Sequence, residues 1–272
     1  MIKDILVNLD TKRSAAGEYA VSLAKLLGSE LSATVCAFIP VYPTTTPMEL
    51  IGADFVGAAR ATNKQAADAA MARFRQIAEK SGVETSIRVL EATVADASNA
   101  LTEISRRFDL TVLSQAEPKE WDSEQLVETV LFGSGRPVLI VPYIQNVSPS
   151  FRSVTVCWDG SRAAARAVGD AMPFLQLAKS VSLITAAKAE AIGEGDPQMV
   201  RHLARHGVKA EHRHLIAGRG DEVNAILNHA SDRGTDLIVM GGYGHARIRE
   251  FVLGGVTRGM LGSMTVPVLM SH

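Results

Sequence analysis

The residues with the clearest capacity for chemistry lie near the end of the chain, in MGGYGHARIREFVLGG, Met240 to Gly255. Two glycine pairs, Gly241–Gly242 and Gly254–Gly255, flank a stretch holding Gly244, His245, Arg247 and Arg249. Glycine lets a ligand approach the backbone closely and permits positive φ, at a cost in chain entropy. Successive main-chain amides in such a turn form a concave anion cradle. The run leads into VTRGMLGSM, a predicted helix, whose first N–H groups and positive dipole end also favour an anion. Thr257 adds a hydroxyl in the first helical turn, and His245, Arg247 or Arg249 add donors or charge. The chemistry on offer is therefore phosphate binding, and the structural alternative is a tight turn after a strand. No Gly-Lys-Ser/Thr of a Walker A loop is present, and no Gly-x-Gly-x-x-Gly follows the first strand.

The elements that must position these residues occur twice. KDILVNLD, Lys3 to Asp10, recurs as RSVTVCWD, Arg152 to Asp159, each an apolar run ending in aspartate. An Ala-rich helical stretch follows each, and then a second strand, ELSATVCAFI or SVSLITAA. RRFDLTVLS is echoed by RGTDLIVMGG, and RPVLIVP by VPVLMSH. A unit of about half the chain repeated once is a duplicated domain, not a solenoid. The boundary falls in the polar link Gln145 to Ser150, giving units 1–147 and 148–272. Runs such as DLIVM lack a polar face, as central parallel strands do when helices cover both sides. The fold class is thus α/β, two tandem doubly wound domains, with ligands expected beyond the carboxyl ends of the strands. Asp10, Asp159 and Gly241–Gly242 all lie at such ends.

Composition narrows the function classes. With 47% hydrophobic and 21% charged residues the chain reads as globular, and its formal net charge of −1 argues against nucleic acid or a membrane surface as partner. No apolar run is long enough to span a bilayer and no signal peptide is apparent. The two cysteines, Cys36 and Cys157, sit in strand-like runs, which points to buried thiols and a cytoplasmic location. Residues 1–147 carry 14 Lys+Arg against 18 Asp+Glu, or −4, and the remainder carries 14 against 11, or +3. The half with the glycine cluster is the basic one.

Aspartate closing the first strand, Gly-x-x-Gly, nine residues, a further glycine with a small residue, and a last strand opening Val-Pro-Val together resemble the universal stress proteins. The doubled chain resembles their tandem members. The resemblance implies in each unit a mostly parallel five-stranded sheet of the adenine-nucleotide α-hydrolase-like kind, binding ATP in many members, with Mg²⁺ the usual companion of a polyphosphate. Carried over, Asp159 meets the adenosine end and Met240 lines the adenine pocket. Gly241, Gly244, Gly254 and the amides of Gly255 and Val256 hold phosphates, with Thr257 as hydroxyl donor and His245 and Arg247 nearby. The family usually places Ser or Thr directly after the third glycine, and here Gly255 stands there. The last strands, PVLIVP and PVLMSH, are edges through which single-domain relatives pair. In one chain they can pair internally as a pseudo-dimer, and whether two chains associate further stays open.

The first copy departs further. After LTVLS it has no Gly-x-x-Gly, and Glu117, Glu120, Asp122 and Glu124 stand where phosphates would go and repel them. No nucleotide site of this type is expected there. Thr44–Ala59, a mix of Gly, Ala and large apolar residues, reads as a mobile loop, the alternative being a different small, apolar ligand of the first copy between the long helix and the sheet. His202/His206 and His212/His214 have spacings that put each pair on one face, so a zinc site competes with solvated histidines. Trp158 either packs on a neighbouring helix or stacks on a base, and Ser161 reads as a helix N-cap. No catalytic triad order appears, and Asp159 is the sole well-placed carboxylate. The expectation is an ATP-linked stress regulator acting through an unknown protein partner, with a slow ATPase or nucleotide-transferring enzyme, and a ligand-free scaffold, as alternatives.

Overall fold

The structure, a computed structural model, describes residues 1–41, 53–116, 121–146, 148–187, 195–218, 220–242 and 255–272, with backbone alone at 53–55 and 121–123. The first half runs β1 (Asp4–Leu9), α1 (Ala15–Leu27), β2 (Glu30–Phe38), α2 (Ala53–Ser81), β3 (Thr85–Ala92), α3 (Val94–Ser105), β4 (Leu110–Ser114), α4 (Trp121–Gly133) and β5 (Val138–Val141). The second repeats the order: β6 (Ser153–Cys157), α5 (Arg162–Leu175), β7 (Ser180–Ala187), α6 (Pro197–Arg205), β8 (Ala210–Ile216), α7 (Glu222–Asp232), β9 (Leu237–Gly241), α8 (Gly255–Ser263) and β10 (Val268–Ser271).

The strands form one ten-stranded sheet in the order β3-β2-β1-β4-β5-β10-β9-β6-β7-β8. Each half is parallel throughout, and the halves join where β5 and β10 pair antiparallel, Leu269 opposite Leu139. The internal pairing of PVLIVP with PVLMSH is thus what the chain adopts. Doubly wound topology follows from strands whose successive residues feed opposite faces. Ile5, Val7, Val239 and Leu269 pack with α1, α2, α5 and α6, whereas Leu6, Ile238, Met240 and Val268 pack with α3, α4, α7 and α8. Both cores run unbroken across the β5–β10 seam, since each contains residues of both halves.

The echo of RRFDL by RGTDL has a mechanical reason. The Asp109 carboxylate accepts the Lys3 and Asp4 N–H groups at 2.7 and 3.2 Å, pinning the start of β1. Asp236 accepts the Ser153 N–H at 2.9 Å and the Ser150 hydroxyl at 3.3 Å, pinning β6 in the same way. The halves differ chiefly in the helix after the second strand, 29 residues in α2 and nine in α6. The segment read as a loop, Thr44–Ala59, is corrected from Ala53 onward: there it is the first part of α2. Residues 42–52 lie outside the described residues.

Candidate functional site

In the second half the chain builds β6, β7 and β8 outward in one direction and then places β9 on the other side of β6. The crevice at that reversal is where open α/β sheets bind ligands. β6 and β9 are in register at Val156–Val239, so Asp159, two residues past β6, and Gly241, the end of β9, share this crevice. β9 and β10 are parallel, so the connecting α8 must run back antiparallel to them and its first residue, Gly255, lies at the same end. The structure therefore brings Asp159, Gly241, Gly255 and Val256 to one end of the sheet. Gly244, His245, Arg247 and Gly254 lie outside the described residues, as do Glu117 and Glu120 of the first half.

Individual environments refine the picture. Asp159 is exposed, and its Oδ1 accepts the Ser161 N–H at 2.9 Å across Gly160, whose φ is 72°. Asp10 does the same in the first half, accepting the Lys12 and Arg13 N–H groups at 2.7 and 3.2 Å. The strand-ending aspartates thus organise a turn before the next helix, and the carboxylate of Asp159 keeps an exposed position beside the crevice. Ser161 is the N-cap of α5, its hydroxyl accepting the Ala164 N–H at 3.1 Å. Met240 is buried among Met260, Val268 and Met270. Thr257 is also buried, at 3% exposure.

Two glycines of the cluster have packing reasons. A Cβ on Gly241 would stand 2.5 Å from the Ala164 amide nitrogen and 2.7 Å from the Ala163 carbonyl carbon, because the first turn of α5 lies directly against β9. A Cβ on Gly242 would stand 2.9 Å from Leu131 Cδ2, a side chain of α4 in the other half. Gly255 differs: a Cβ there meets nothing within 4 Å, so no packing demand excludes a side chain.

A polar cluster beside the crevice adds Asp196 and Thr185, which sequence reasoning missed, to Trp158, His212 and His214. Trp158 packs against the core and its Nε1 donates to Asp196 Oδ2 at 3.0 Å. Asp196 caps α6 through the Gln198 and Met199 N–H groups, and these, the Met199 bond foremost, hold its carboxyl below the usual range. Aspartate directly before proline at a helix start was the available signal. His212 shares a hydrogen bond with Thr185 Oγ1 at 3.1 Å and stacks edge-on with His214, ring centroids 4.5 Å apart. His202 on α6 and His206, its C-cap, are exposed. Among the described residues no group of three or more His, Cys, Asp or Glu is placed to hold a metal. Burial pushes both thiols, Cys36 and Cys157, up to about 12, so neither is a thiolate at neutral pH.

The histidines give a pH dependence. Burial lowers the His212 pKa, with His214 adding to it and Asp196 opposing, and burial also lowers that of His229, with Arg233 and Arg213 adding. Both stay neutral in the folded protein at pH values where the unfolded chain, near 6.5, already binds protons. Stability is therefore full above about pH 7 and falls as pH drops below about 6.5, flattening once the folded histidines are protonated too. Thermal midpoints between pH 5 and 8 should show this slope, and His212→Gln should shallow it. An unchanged slope in the variant would refute the assignment to His212.

An open, mostly parallel sheet wound on both faces, with aspartate and glycine at its crevice, defines a doubly wound α/β protein. Comparison with known proteins narrows this. Residues 150–272 match the universal stress protein family model, so this part of the chain is similar to that family's domain. It is 26% identical over 223 residues to universal stress protein Slr1230 of Synechocystis sp., covering 76% of this chain and 72% of that protein. It is 39% identical over 67 residues to universal stress protein YxiE of Bacillus subtilis, covering 25% of this chain and 43% of that protein. A universal stress protein from Archaeoglobus fulgidus superposes with a TM-score of 0.74 at 17% identity, covering 98% of this chain and 95% of that one, which establishes the shared fold. No helix among the described residues is long and apolar enough to cross a membrane.

Proposed function

We propose that the second unit, residues 148–272, binds an adenine nucleotide, ATP with Mg²⁺, and that the chain is a nucleotide-linked regulator read by a protein partner. The observation that carries this reading is the convergence at one crevice of an exposed Asp159, the Gly241 end of β9 and the N-terminus of α8. A nucleoside polyphosphate fits that donor set: a carboxylate can accept ribose hydroxyls, and helix-start amides favour phosphate. Thr257 is buried, so the amides of Gly255 and Val256 are the better phosphate contacts. Binding is favoured over turnover. Phosphoryl transfer needs a positioned water and neutralising charge, and Asp159, the sole well-placed carboxylate, is taken by the nucleoside in this reading. A scaffold function draws on a specific observation of its own, since packing alone accounts for glycine at 241 and 242. The first unit, 1–147, is read as a degenerate copy without a nucleotide.

Calorimetric titration of the full chain with Mg-ATP tests this, one site per chain being the expected stoichiometry. Gly255→Ser sharpens it. The position is open, so serine enters without strain and supplies a hydroxyl to an anion. Mg-ATP affinity should rise about ten-fold for one added charge-assisted hydrogen bond. No binding by either protein would leave the scaffold reading in command.

A further inference from the structure

The two halves are related by a pseudo-two-fold at the β5–β10 seam, and one pair of equivalent positions across it is unlike. Gln115 and Gly242 correspond: each follows its strand, and their N–H groups donate to Val141 and Ser271, equivalent residues, at 2.8 Å in both cases. Their partners across the seam, Leu261 and Leu131, also correspond. On one side the Leu131 side chain of α4 lies against the bare backbone of Gly242. On the other, the Gln115 side chain reaches across, and its Nε2 donates to the Leu261 carbonyl of α8 at 2.9 Å. Its Oε1 accepts the Tyr143 N–H at 3.3 Å, so the amide is fixed at both ends, and the residue is 3% exposed.

The Leu261 carbonyl is one of the last four of α8, groups with no partner inside a helix that ends there. The Met264 N–H closes on the Met260 carbonyl, and Gln115 takes the next one. α8 has reason to depend on this. It is nine residues long, contains Gly255, Gly259 and Gly262, and has no basic residue in its last turn. Short glycine-rich helices are marginal, and a donor at the carboxyl end both satisfies a carbonyl and opposes the dipole. α4, by contrast, is closed from within its own half: the Arg106 guanidinium donates through Nε and Nη2 to the Gly133 carbonyl, both at 3.2 Å.

We infer that Gln115 is a positioning residue for the nucleotide site of the other half: the half without a glycine loop caps and holds the helix whose opposite end faces the crevice. This rests on the reading of that crevice as a nucleotide site. The position that is a bare glycine in one half is, in the other, a clamp on its neighbour's helix.

The test uses the full chain and two variants. Gln115→Met removes both hydrogen bonds at similar volume. Gln115→Glu keeps an acceptor for Tyr143, but its carboxylate cannot donate to Leu261 until protonated, and burial raises the pH at which that happens. Amide exchange of α8 should quicken about five-fold relative to β9 in Gln115→Met, and Mg-ATP affinity should fall by a similar factor. Gln115→Glu should match it at pH 7.5 and regain wild-type α8 protection at pH 5.5, compared with wild type at each pH. Should Gln115→Met fail to fold, Gln115→Glu carries the test alone. Unchanged α8 protection, or α8 loosened with Mg-ATP affinity intact, overturns the inference. Failure of wild type to bind Mg-ATP overturns the nucleotide reading instead, while the exchange experiment still decides whether Gln115 clamps α8.

Discussion

Gly241→Ala is expected to destabilise the protein by about 3 kcal/mol, at the upper end of overpacking costs. The added methyl would meet backbone, the Ala164 nitrogen at 2.5 Å and the Ala163 carbonyl carbon at 2.7 Å, so no rotamer change relieves it. Strand β9 or the first turn of α5 must shift, and Ser161, which caps that turn, shifts with it. For a chain of this size the loss corresponds to a fall of roughly 6–12 °C in thermal midpoint. Gly255→Ala is the control: its methyl meets nothing, and the midpoint should stay within about a degree for a surface change of this kind. Equal midpoints for the two variants would show that β9 and α5 are less tightly apposed than described. The comparison also guards the functional reading, because lost nucleotide binding in Gly241→Ala would follow from misplaced backbone as readily as from a lost phosphate contact.

Leu269→Ala is expected to destabilise both halves together, by about 3 kcal/mol. Leu269 is fully buried, sits opposite Leu139 in the antiparallel β5–β10 pairing, and belongs to a core fed by α1, α2, α5 and α6. The chain has two tryptophans, Trp121 in α4 and Trp158 after β6, one in each half. Single-tryptophan variants, Trp121→Phe and Trp158→Phe, would therefore report each half separately by fluorescence. With a continuous core, Leu269→Ala should move both reporters' midpoints by the same amount. A shift confined to the Trp158 signal would mean that the seam is not cooperative and the halves unfold apart.

The parts of this architecture that rest on local pattern were legible in the sequence. β7 coincides with SVSLITAA, and the recurrence of an aspartate after β1 and β6 marked equivalent strand ends. The pairing of PVLIVP with PVLMSH was anticipated from the family resemblance, whose single-domain members pair through these edges, but its antiparallel sense was not. Ser161 as a cap and Trp158 as a packing residue followed from ordinary side-chain chemistry. What stayed hidden depends on contacts distant in sequence. Gly242 reads as one member of a loop motif until Leu131 is seen beside it. Gln115 reads only as a missing glycine, since nothing in LTVLSQAE announces a bond to residue 261. The beginning of α2 at Ala53 was obscured because Gly57 and mixed apolar residues weaken the helical pattern there.

The unlike pair Gln115 and Gly242 carries a consequence for how such a molecule can change. In a dimer of identical chains every substitution appears at both ends of the two-fold axis. Glutamine would then replace glycine at both crossings, although at Gly242 a Cβ would stand 2.9 Å from Leu131. Joining the two copies in one polypeptide lifts that restriction. Each side of the axis can vary alone, so one copy can give up a ligand loop and take on the support of the other without disabling both.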